Sequence, residues 1–165
     1  MEHYAKARRH YGASHEDVLA GHADGIDVAD YASALRSGAT REEVLQAHAK
    51  GIDVRVYGVV LAYGATHAEV REIHAKDIDL QLYEVARVWG ATHAEVLDAH
   101  TKGVDMRSYV RVRFDGGTHE QALEICLMGI PLSRYIQEMR RRVDATPAEV
   151  IEALRTSADE KNPDD

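Results

Sequence analysis

Apolar side chains along this chain return every three or four positions, and glycine-centred turns interrupt that rhythm twice in every 26 residues. Gly-Ala or Gly-Gly begins at Gly12, Gly38, Gly64, Gly90 and Gly116. Two positions after each stands a hydroxyl: Ser14, Thr40, Thr66, Thr92 and Thr118. A second turn falls mid-period as Gly25-Ile26-Asp27, Gly51-Ile52-Asp53 and Gly103-Val104-Asp105. Asp77 replaces its glycine in the third period, and the fifth reads Gly129-Ile130-Pro131. Tyrosine keeps the same register at Tyr31, Tyr57, Tyr83, Tyr109 and Tyr135.

Both turns carry the chemistry of a helix end followed by a helix start. Glycine supplies the left-handed residue that closes one helix, and an apolar residue then precedes an oxygen-bearing N-cap. Asp17, Glu43, Glu69, Glu95 and Gln121 lie three residues after the hydroxyls and complete a capping box each time. Thr146-Pro147-Ala148-Glu149 repeats the signal for a last helix. Each period therefore predicts two short helices, for example His67–Lys76 and Leu80–Trp89. Helices of that length cannot bury a face alone and must stack on neighbours.

The expected fold is all-α, an α-solenoid of five 26-residue helix–turn–helix repeats starting at 12, 38, 64, 90 and 116. Residues 1–11 are expected to cap its N-terminus, and a helix over about 147–156 its C-terminus. A single domain then covers 1–157, with 158–165 as a disordered acidic tail. The Thr-x-x-Glu cap beside a recurrent histidine resembles the helix caps of ankyrin units, although the period here is shorter.

Composition narrows the function classes. The 165 residues carry a formal net charge of −8, which disfavours phosphate backbones and makes nucleic acid a less expected partner. No apolar run is long enough to span a bilayer, so no membrane partner is expected. A single cysteine, Cys126, allows no intrachain disulfide and fits a reducing, cytoplasmic setting.

Histidines are the most conspicuous candidate chemistry. His22, His48, His74 and His100 form a ladder at one position of the first helix, and Cys126 takes that position in the fifth repeat. His15, His67, His93 and His119 occupy the first helical turn, with Arg41 in their slot in the second repeat. Residues seven apart on a helix are separated by roughly 10 Å, too far for one metal to be shared. The apolar replacement Cys126 points to a buried, structural ladder, and the first-turn set is expected to face solvent. No metal and no cofactor are expected. There is no His-Glu-x-x-His and no glycine-rich phosphate loop, so the chain is read as a non-enzyme.

One stripe breaks the pattern. On the outward side of the second helices the residues are polar in repeats one (Asp30, Ser33, Ser37), four (Ser108, Arg111, Asp115) and five (Arg134, Gln137, Arg141). In repeats two and three they are Val56, Val59, Tyr63 and Leu82, Val85, Trp89. Six apolar side chains with arginines Arg111, Arg134 and Arg141 at the rim have the anatomy of an interface. The expected function is a binding module that grips a protein or peptide there. Self-association as a homodimer through the same patch is one alternative, and nucleic-acid binding by the arginine-rich C-terminal repeats is another. Burial of the stripe between stacked second helices stands beside these, since Arg87 and Arg113 at core positions suggest a rotated register.

Overall fold

The computed structural model describes residues 14–142 and 144–159, and among these every regular element is an α-helix. They are α1 (His15–Ala23), α2 (Val28–Arg36), α3 (Arg41–Ala49), α4 (Val54–Ala62), α5 (His67–Ala75) and α6 (Leu80–Val88). Then come α7 (His93–Thr101), α8 (Met106–Phe114), α9 (His119–Leu127), α10 (Leu132–Arg141) and α11 (Pro147–Asp159). No helix among the described residues is long and apolar enough to cross a membrane. The Gly12 turn and the helix expected over 1–11 lie outside the described residues.

The helix ends follow the turn chemistry read from the sequence. Ser14, Thr40, Thr66, Thr92 and Thr118 each accept from the backbone N–H three residues on, and the acid or amide there bonds back to the cap N–H. At the other end Gly64 has φ +80°, its N–H donates to the Leu61 carbonyl at 2.9 Å, and the Ala65 N–H reaches the Val60 carbonyl at 3.0 Å. That pair of bonds satisfies carbonyls the helix leaves open. Asp77 performs the glycine's role at φ +56°. Asp is one of the few side chains that tolerates that region.

The chain divides into two compact units between Val88 and Trp89. In the first unit the second helices pack directly on one another, α2 on α4 and α4 on α6. The α2–α4 crossing is close because Gly58 has no Cβ. A carbon placed there would lie 3.2 Å from the Cα and N of Ala34. Tyr31, Tyr57 and Tyr83 are fully buried in this unit with Val44, Val60, Val70 and Ile73. In the second unit α9 packs on α8 and α11, and α10 on α11, around Tyr109, Val112, Ile125, Tyr135 and Val150. The tyrosines are thus the fixed core residues of both units.

Two expectations are corrected by these boundaries. α11 runs to Asp159, so Ala158 and Asp159 are helical where the tail was expected to be disordered; residues 160–165 lie outside the described residues. The histidine ladder is not buried either: His22, His48, His74 and His100 are all exposed. They sit in the last turn of α1, α3, α5 and α7.

Candidate functional site

The six stripe residues separate by their place along the helix. In the first unit Val56 is only 1% exposed, because α4 is flanked by α2 on one side and α6 on the other. In the same register Ser108 of the second unit is also buried. Val56 is therefore core and leaves the candidate surface. Val59 and Leu82 are half-buried. Tyr63, at the end of α4, is 49% exposed, and Val85 is exposed as well. Arg87, which looked misplaced in a core register, donates from Nη2 to the Tyr63 carbonyl at 2.9 Å. It satisfies the open end of α4, which accounts for a cation at that position.

In the second unit Trp89 is 43% exposed and meets Phe114, itself 47% exposed, edge to face with ring centroids 4.6 Å apart. Phe114 is the last residue of α8, and its register holds Arg36, Ala62, Val88 and Arg140 elsewhere. No periodic signal marks it, so the sequence pattern missed it. The Arg111 guanidinium lies 5.0 Å from the centre of the Phe114 ring and is held there by two hydrogen bonds of 3.0 Å to Asp115. Trp89, Phe114 and Arg111 thus form an aromatic edge whose one cation is neutralised in place. Of the other rim arginines, Arg134 is half-buried and Arg141 is exposed and paired with Glu138.

Comparison with protein families, characterised proteins and solved structures finds no match to this chain.

Of the first-turn histidines expected in solvent, His67 and His119 are tied into the structure, whereas His15 is exposed. The Tyr57 hydroxyl lies 2.8 Å from Nδ1 of His67, and the Tyr109 hydroxyl 3.0 Å from Nδ1 of His119. His119 continues the chain through Nε2 to the Asp98 carboxylate at 3.0 Å. A carboxylate only accepts, so Nε2 of His119 carries a proton and donates to Asp98. Asp98 also receives Lys102 Nζ at 2.6 Å, and these two partners hold its carboxyl below the usual range. In the first unit Gln46 stands where Asp98 stands in the second, and it turns to Glu42 instead. His67 Nε2 is left buried without a partner, and burial lowers the pKa of the ring.

None of this makes a nucleophile. Burial raises every one of these tyrosine hydroxyls, Tyr109 to about 12. The Cys126 thiol is half-buried and pushed up to about 11, which keeps it protonated and unreactive near neutrality. Among the described residues no group of three or more histidine, cysteine or carboxylate side chains could hold a metal ion.

Proposed function

We propose that this chain is an α-solenoid binding module that captures a peptide or protein on exposed aromatic side chains of its second helices, with no chemistry of its own. The observation that carries the reading is the Trp89–Phe114 pair, two large aromatic groups left nearly half in water although they pack edge to face on each other. Such anchors contribute most of the free energy at interfaces. Tyr63 and Val85 offer a similar surface on the first unit. The solenoid reading rests on helix starts that recur at the sequence period in both units.

Nucleic-acid binding has less support. Arg111, Arg141 and Arg142 are each held by a carboxylate of the same unit, which leaves fewer cations for phosphates. The test is selection from a random peptide library displayed on phage, using the whole chain as bait. Enriched peptides that bind at least tenfold more weakly to Trp89→Ala and Phe114→Ala support the proposal. No enrichment, or peptides indifferent to both changes, refutes it.

A further inference from the structure

Asp98 does something in the second unit that no side chain does in the first. It accepts from Lys102 Nζ at 2.6 Å and from His119 Nε2 at 3.0 Å, so one carboxylate serves a lysine 4 positions on and a histidine 21 positions on. In the first unit the same offsets lead from Gln46 to Lys50 and His67. The two imidazoles stand alike. His67 meets Tyr57 with centroids 5.8 Å apart at 88°, and His119 meets Tyr109 at 5.7 Å and 73°. Each Nδ1 lies within hydrogen-bond distance of its tyrosine hydroxyl. The difference is the acceptor. Gln46 is neutral and donates its amide to Glu42 at 3.0 Å, and Nε2 of His67 is buried without a partner.

Positive charge gathers around this open position. Lys50 and Arg71 both act on the His67 ring and disfavour its charged form. Neither makes an ion pair or hydrogen bond among the described residues. Arg71 stands where Leu19, Leu45, Leu97 and Leu123 stand in the other repeats. Glu43 acts on the ring in the opposite sense, but its carboxylate is bonded to the Thr40 N–H at 2.8 Å. Lys50 and Arg71 also line a cleft of 340 Å3 with Ala68, Glu72 and Ala75. The nitrogen can be reached from solvent, since Asp98 is 40% exposed where it bonds His119. Gln46, Lys50 and Arg71 are exposed as well.

We propose that this slot binds the carboxylate of a small ligand on Nε2 of His67, Lys50 and Arg71, with the ligand's apolar part against Ala68 and Ala75. The carboxylate takes the place that Asp98 holds in the second unit and accepts from Nε2 as Asp98 does. Hydrogen bonds from cations to a carboxylate are the strong ones, and a buried donor without a partner recovers its lost hydration when an acceptor arrives. A single negative charge suits the site, because Glu72 on the cleft wall repels a dianion.

Titration of the full chain with benzoate at low salt, followed by NMR of the histidine rings, tests this. Expected is a saturable shift of the His67 signals in the millimolar range, while His119, whose acceptor is in place, stays still. Binding weakens at least tenfold in Lys50→Gln and in Arg71→Leu. Gln46→Asp supplies the carboxylate from the chain itself, abolishes binding and melts no lower than the parent. Arg140→Gln removes an exposed charge of the second unit and leaves binding intact. A capped aspartyl peptide run beside benzoate assigns the source: tighter binding of either supports the proposal, as an acidic side chain or as a free organic acid. No saturable shift of His67 would overturn it, as would equal shifts of His67 and His119. So would benzyl alcohol acting as strongly as benzoate, phenyl phosphate binding more tightly, or Gln46→Asp binding like the parent.

Discussion

Two tyrosines in the same register meet different fates. Tyr57 finds a histidine nitrogen at 2.8 Å, whereas the buried Tyr31 hydroxyl has no partner, because Arg41 occupies the slot in which His67 would stand. A buried hydroxyl without a partner loses its bonds to water and gains nothing for them. Tyr31→Phe is therefore expected to be neutral or to stabilise by up to about 1 kcal/mol. Tyr57→Phe, which strands His67 Nδ1, is expected to cost about 1 kcal/mol or more. Urea unfolding of the two variants beside the parent checks the sign of the difference. His67 itself links stability to pH. Its pKa in the folded chain lies below the ordinary 6.5 because burial disfavours the charged ring. The unfolded chain thus takes up the proton first, so this contribution is complete above about pH 6.5 and is lost as pH falls below it. Glu43 works against the shift, while Arg71 and Lys50 add to it. Of the charged groups on the packed neighbour α6, Glu84 faces Arg55 and Arg87 reaches the Tyr63 carbonyl. Denaturant stability measured between about pH 7.5 and about pH 5.5 should fall less steeply in His67→Gln than in the parent.

At the scale of the helices, caps were legible because they are local. A hydroxyl and an acid three residues apart need nothing from the rest of the chain, and all the boxes expected within the described residues form. Burial was less legible because it depends on which helices flank which. Val56 and Val85 look alike in the repeat, yet Val56 lies in the first turn of a helix flanked on both sides. The histidines show the same limit along the axis. His67 and His74 are seven residues apart and point within about 20° of each other, so angular periodicity cannot separate them. Their difference is about 10 Å of axial position, which places one against the Tyr57 hydroxyl and leaves the other exposed. Gly58, inside α4, has its reason at this scale too. Its closeness to the Ala34 backbone means that Gly58→Val must push α2 and α4 apart. The expected loss is on the order of 1–3 kcal/mol, read as a lower urea midpoint. An unchanged midpoint would show that the crossing is looser than described.

At the scale of the molecule, most large apolar groups among the described residues are buried. The aromatic edge of Trp89 and Phe114 is an exception that packing does not demand. Asp115 occupies the register of Trp89 one period later, and Ser37 two periods earlier. Trp89 is also the only tryptophan, so its fluorescence reports this edge without interference. The most direct measurement is acrylamide quenching of Trp89 in the monomeric chain, alone and with a library-selected peptide, together with the melting of Trp89→Ala. Emission typical of a wet indole, free quenching, protection by the peptide, and a Trp89→Ala melt within a few degrees of the parent are the predicted results. Blue-shifted emission shielded from acrylamide in the free monomer, with Trp89→Ala melting far lower, would make Trp89 a core residue and contradict the binding function built on it.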